Sequence, residues 1–437
     1  MNAIIGITIV LINVLIGLVN IERGLKLYII LSIICPVIDI LGMSISYEIM
    51  FFFPMLLLFM MTGSKGRIKK QGKYLIAYFV IFIVATLMSN LLHEASNELV
   101  SIFGIGRMVI LYLMFTAKTN LKEFYAGILQ VCLYANVVCM LLQITMPNAL
   151  NIFYELYAKE SATAIGGFSI VGRFTRLTGS FNNSAPAGFF FLIVLATYLV
   201  EYSKENTVKN MSVLVMAILC GLATATKTFL IGMPILLIAN VALSIVFKNR
   251  ERLGKRKMVD LKKLILIMAT VIGIVLFFKY TEGILYTNNY IENLSISNIF
   301  SSRYSSEAGG NLVYTMSVFK ENWLLGVGAT TLIGEFVGDS LYVTLLHNTG
   351  ILGFLLITVV IIGLLKENII NSNRQNLLLI LSVLMCGFAV PTVFNFFGIL
   401  TLAFVTVNTN TKSIEFDYYE LNKLNEGNRL PAHIAVR

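Results

Sequence analysis

The chain has 437 residues, of which 57% are hydrophobic and only 13% charged, with a net charge of +10 and a mean hydropathy of +0.82. Soluble domains carry about 25% charged residues, so a set of soluble domains is excluded, and counting domains by length does not apply. The five cysteines (Cys35, Cys132, Cys139, Cys220, Cys386) all lie in apolar runs, at spacings that suggest neither a disulfide framework nor a metal site.

Apolar runs recur from end to end, at lengths suited to crossing a bilayer, about 17–25 residues each. They fall roughly at 3–20, 27–44, 47–62, 74–92, 99–116, 124–146, 185–200, 211–226, 228–247, 264–279, 341–365, 377–391 and 393–409. The expected fold is an all-α polytopic membrane protein with about 12–14 transmembrane helices, one membrane domain over 1–437. The first run has no basic residue before it and no small-residue cleavage site after it, which reads as a retained helix rather than a signal peptide.

Two basic loops orient these helices. Gly63 to Lys73 holds Lys65, Arg67, Lys69, Lys70 and Lys73, and Lys248 to Lys263 is richer still. Lys/Arg-rich loops stay cytoplasmic. The six segments between the two loops are an even number, so both anchors agree. The N-terminus is then outside, and the tail 411–437 is cytoplasmic. The positive charge is a topology signal, which removes nucleic acid as a partner.

Two long loops are left outside, 147–184 and 280–340. Few cations accompany them on that side: Lys159, Arg173, Arg176, Lys227, Lys279, Arg303 and Lys320. In GRFTRLTGSFNN a helical turn would put Arg173 and Arg176 on one face, and arginine's planar fork of donors matches phosphate oxygens. Lys227 interrupts two apolar segments. It reads either as a hairpin tip that snorkels to water or as a cation aimed into a cavity among Ala223, Thr224, Ala225 and Thr226.

Arg107 lies about eight residues into its segment, ~12 Å at ~1.5 Å per residue. A charge at that depth is either a site residue or half of a structural pair. Arg303 precedes an amphipathic stretch ending at Asn322–Trp323, the tryptophan suiting a membrane interface, with Gly326 and Gly328 after it. Asp339 stands at the mouth of the next segment, as a helix cap or a base. His347 is two turns further in, followed by Gly350 and Gly353, which suit close helix packing. No Walker loop and no HExxH occurs, so nucleotide- or metal-driven chemistry has no support.

Three blocks resemble the O-antigen polymerase and ligase superfamily (Wzy/WaaL-like). Arg176 to Asn183, R-L-T-G-S-F-N-N, is similar to that family's Arg-x-x-Gly-x-Phe motif, with Asn182–Asn183 in place of Pro-Asn. T-A-T-K-T-F around Lys227 is similar to its Ser-Arg or Ser-Lys hairpin. The stretch from Arg303 through N-W-L-L-G-V-G to Asp339-Ser-Leu-Tyr and Gly350 to Gly353 is the third. The blocks cover roughly residues 170–355, and before that only hydropathy matches. Ligases carry His-Asn where this chain has Asp339–Ser340, which favours a polymerase.

The resemblance implies a glycosyltransferase of the bacterial cytoplasmic (inner) membrane that polymerises polysaccharide repeat units for O-antigen, capsule or exopolysaccharide. Its donor would be a polyprenyl-diphosphate-linked oligosaccharide, with membrane lipid around it and a chain-length regulator and flippase of the same pathway as partners. No cofactor and no metal is implied. Diphosphate contacts would come from Arg173, Arg176, Lys227, Arg303 and Arg107, and the catalytic base from Asp339 or His347. Two alternatives stand beside it: a ligase moving finished glycan to another acceptor, and a lipid-linked oligosaccharide flippase or transporter.

Overall fold

A computed structural model of the chain describes residues 3–36, 38–40, 43–45, 54–57, 60, 66, 68–93, 99–118, 120–146, 152–153, 156–157, 176–251, 317–328 and 340–409. The expected segment at 264–279 and the tail 411–437 lie outside the described residues, and most of 47–62 does too.

The helices are α1 (Ala3–Val19), α2 (Ile21–Ile34), α3 (Lys70–His93), α4 (Leu99–Thr116), α5 (Leu121–Thr145), α6 (Ser184–Lys204), α7 (Val208–Ala223), α8 (Lys227–Glu251), α9 (Leu341–Ile370), α10 (Arg374–Cys386) and α11 (Phe396–Val407). Five of them are long and apolar enough to cross a membrane: α5, α6, α9, and the stretches Lys70–Leu92 of α3 and Lys227–Phe247 of α8. The shorter helices α1, α4, α7, α10 and α11 are apolar as well. The chain is an all-α polytopic membrane protein, apart from one two-stranded antiparallel ribbon, β1 (Ile38–Ile40) with β2 (Met43–Ile45), pairing Asp39 with Ser44.

That ribbon corrects the segment expected at 27–44. The helix there starts earlier and ends sooner. Asn20 caps it, its side chain accepting from the Arg23 N–H at 3.0 Å, which satisfies one of the orphan donors of a first turn. It stops at Ile34 because Pro36 pushes Cys35 into an extended conformation, φ −75 and ψ 133. Asp39, which falls within the apolar run expected at 27–44, is therefore on a strand beyond the helix.

The centre of the bundle is α6. Every residue from Ala187 to Val200 is buried, as expected of a helix apolar on all sides. It packs against α5, α7, α8 and α10, while α11 lies on α4, and α9 runs along α3.

The two ends of the bundle differ in chemistry. At one end the last turn of α11 is capped from its neighbours. Lys69 Nζ donates to the Val407 carbonyl and, at 3.2 Å, to Thr409 Oγ1. Asn373 Nδ2 and Asn376 Nδ2 donate to the Asn408 carbonyl at 2.9 and 3.2 Å. Cations and amide donors at a helix C-terminus satisfy carbonyls that have no partner within the helix. Tyr112, near the end of α4, joins the same layer by accepting from the Lys69 N–H at 2.8 Å. The opposite end gathers the start of α6, the α7–α8 turn and the end of α2, and it holds the candidate site.

Candidate functional site

The site is built from α5 upward. Asn136 and Gln143 stand seven residues apart, two turns on one helical face, and both are buried. A buried amide in an apolar helix needs partners, and these two find theirs in the turn that precedes α6. The Gln143 side chain pairs with the Gly179 peptide in both directions: Gly179 N–H donates to Oε1 at 3.1 Å, and Nε2 donates to the Gly179 carbonyl at 3.1 Å. Asn136 Oδ1 accepts from Ser180 N–H at 2.8 Å and Ser180 Oγ at 3.1 Å. Ser180 Oγ also reaches the Ile33 carbonyl at the end of α2, at 3.2 Å.

Gly179 sits at φ +62, and a Cβ there would lie 2.2 Å from Asn136 Oδ1, so only glycine fits. Phe181 plants its ring against Phe190 at 5.4 Å and edge-on against Phe397 at 5.2 Å. Asn183 then caps α6, accepting from the Ala185 N–H at 3.2 Å. The T-G-S-F part of the run is therefore a buried seat rather than a solvated loop, with Thr178 0% and Ser180 4% exposed, while Asn182 is exposed and Asn183 half-buried. The helical turn that would put Arg173 and Arg176 on one face lies outside the described residues except for Arg176, and Arg176 to Thr178 are not helical.

Arg176 is half-buried at the head of this seat. The next residue, Leu177, donates its N–H to the Ala223 carbonyl at the end of α7, at 3.1 Å. That bond joins the Arg176 turn to the tight turn that precedes Lys227. In the latter, Ala225 takes φ +49, and Thr226 Oγ1 accepts from Phe229 N–H at 3.4 Å. Lys227 is thus the half-buried first residue of α8 rather than a loop residue. One bond thus links the stretch headed by Arg176 to the end of α7, four residues before Lys227.

Arg107 is 3% exposed in α4. Its Nε donates to the Gly104 carbonyl at 3.3 Å, and its guanidinium lies over the Phe396 ring at 5.6 Å, a cation–π distance. Phe397, next along α11, touches Phe181, so Arg107 reaches the seat through two consecutive phenylalanines.

His347 is 1% exposed. Its Nδ1 lies 2.7 Å from Asn348 Oδ1. A proton on Nδ1 would be donated to that carboxamide oxygen, which would leave Nε2 as the acceptor nitrogen of a neutral ring. Three residues on, α9 breaks at Gly350, with φ 57 and ψ −159. The break is closed by the turn from Trp323 to Gly328, which lies beside it. Val327 and Gly328 N–H donate to the His347 and Asn348 carbonyls at 2.9 and 2.7 Å, and Ile351 and Leu352 N–H donate to the Trp323 and Leu324 carbonyls at 2.9 and 3.2 Å. Gly350 serves close packing as expected, since a Cβ there would lie 2.5 Å from the Leu324 backbone, and it also interrupts the helix. Trp323 itself is 54% exposed.

Arg173, Arg303 and Asp339 lie outside the described residues. Among the described residues no group of three His, Cys, Asp or Glu side chains is placed to hold a metal. Sequence reasoning weighed charges and passed over Asn136 and Gln143, although two amides seven apart in an apolar run are a visible signal. Neither a model of a protein family nor a curated protein matches this chain.

Proposed function

We propose that the chain is a polysaccharide polymerase of the bacterial cytoplasmic membrane. It joins polyprenyl-diphosphate-linked oligosaccharide repeat units at the outer face, with its N-terminus outside and its C-terminus in the cytoplasm. The lysine-rich stretch that opens α3 supports that orientation, in which the Arg176 seat is on the outer side.

A glycan on a diphosphate already carries its activation. Breaking the glycosyl–phosphate bond needs cations on the departing oxygens and a base for the attacking hydroxyl. The observation that carries this reading is the Leu177 N–H to Ala223 carbonyl bond, which ties the turn of Arg176 to the turn of Lys227. Arg176 and Lys227 are the principal diphosphate ligands in this proposal. Arg303, Arg173 and Arg107 complete the cationic set, and Asp339 or His347 serves as base.

The test is the surface glycan of a deletion strain complemented with Arg176→Ala or Lys227→Ala. Long polymer should collapse to single repeat units while the protein is still expressed at wild-type level. Wild-type chain lengths in both variants would sink the assignment.

A second reading has one observation of its own. Discontinuous helices house substrate in many transporters, and α9 is discontinuous at Gly350. Loss of a lipid-linked oligosaccharide transporter would remove surface glycan altogether instead of shortening it, so the same gel separates the two. Polymer of normal length left unattached would instead mark a ligase.

A further inference from the structure

We infer that Asn136 and Gln143 are positioning residues for the outer anion site, holding Arg176 at a set distance from Lys227. This rests on the diphosphate reading above.

The turn carrying Arg176 is not held by regular secondary structure. Within Thr178–Phe181 the backbone makes a single bond of its own, Phe181 N–H to the Thr178 carbonyl at 3.2 Å. The peptide groups of Gly179 and Ser180 are satisfied by α5 instead, through Gln143 and Asn136. Gln143 Nε2 also lies 3.4 Å from Thr178 Oγ1, and Asn136 is itself oriented by donating Nδ2 to the Cys132 carbonyl at 2.9 Å. A leucine at either position would fill the space and leave buried N–H groups without an acceptor, in a region from which lipid and packing exclude water.

Arg176 is three residues from Gly179, so the chain between them spans ~10 Å at most. A turn released from α5 keeps the Leu177 N–H bond to the Ala223 carbonyl but loses its hold on the α5 side, so Arg176 can shift relative to Lys227. Two cations that must close on the two phosphates of one diphosphate gain from being held in place beforehand. Neither amide needs to touch the substrate, and Gln143 and Asn136 act only through the turn.

The experiment uses the full-length protein in nanodiscs with two readouts: hydrogen exchange of the 177–183 peptide, and binding of undecaprenyl diphosphate measured against undecaprenyl monophosphate. Gln143→Leu should speed exchange of that peptide by about tenfold or more and weaken diphosphate binding by about tenfold, with peptides of α6 to α8 still protected. Gln143→Glu should restore both, because a neutral carboxyl keeps an acceptor for Gly179 N–H and a donor for its carbonyl. Ser180→Ala, a milder change should Gln143→Leu fail to fold, removes only the hydroxyl bonds to Asn136 and Ile33, and should shift both readouts the same way to a smaller extent. Arg176→Ala should abolish the preference for diphosphate and leave exchange unchanged.

If Gln143→Leu opens the turn while binding stays at the wild-type level, or if Gln143→Glu fails to restore binding, the positioning role is overturned and the polymerase reading survives. If Arg176→Ala binds diphosphate like the wild type, both fall.

Discussion

Replacing Gly179 with alanine perturbs the seat at its tightest point. The residue sits at φ +62, where an L-amino acid costs about 1–2 kcal/mol. The new methyl would lie 2.2 Å from Asn136 Oδ1 and 3.2 Å from its Cγ, so the Asn136 amide must swing away. With it goes the acceptor of Ser180 N–H at 2.8 Å and of Ser180 Oγ at 3.1 Å. Ser180 is buried, and a buried donor left without a partner costs about 1–3 kcal/mol. The two effects together predict a loss of about 2–5 kcal/mol. Gly127 supplies the control on the same helix as Asn136. Its added methyl would meet nothing nearer than Lys26 Nζ at 3.7 Å, so Gly127→Ala should be neutral or stabilising by about 0.5–1 kcal/mol. Unfolding in mixed micelles, followed by far-ultraviolet circular dichroism, compares the two variants with the wild type. A Gly179→Ala protein that unfolds at the wild-type midpoint would refute the account of the seat.

Two further perturbations address other parts of the bundle. Gly350→Ala puts a methyl at φ +57, 2.5 Å from both the carbonyl carbon and oxygen of Leu324. It should unseat the Trp323–Gly328 turn at a cost of about 2–4 kcal/mol, seen as faster amide exchange at Val327, Gly328, Ile351 and Leu352; unchanged exchange would contradict the backbone clamp. Lys69 titrates below its ordinary value of 10.5, because burial disfavours its charge more than the Glu367 carboxylate restores it. The folded state therefore releases this proton at a lower pH than the unfolded chain does. The penalty is fully present below the folded value and fades as pH rises to 10.5. The wild type should gain stability relative to Lys69→Met over the range just below 10.5, and parallel pH–stability curves would show that Lys69 is not buried as described.

Hydropathy located α4 to the residue, at 99–116, and α1, α3 and α6 within a few residues. It erred at polar caps. Asn20, Thr207 and Asn373 each accept a backbone N–H in the first turn of α2, α7 and α10, so those helices begin three to six residues before their apolar runs do. The caps and Pro36 were written in the sequence, but an average over a window of residues blurs single positions.

The membrane class, most of the helices and the unusual character of the R-L-T-G-S-F-N-N run were settled by sequence alone, because a bilayer demands long apolar segments and leaves polar residues conspicuous. Only the tertiary structure decided what that run does. Gly179 and Ser180 lie far along the chain from Asn136 and Gln143, and nothing local pairs them. They meet because buried peptide groups must find partners, and the amides of α5 are the partners that packing brings within reach. The same holds for the break in α9: a glycine in an apolar helix is compatible with close packing or with interruption, and the backbone of Trp323 to Gly328, arriving from elsewhere in the chain, makes it both.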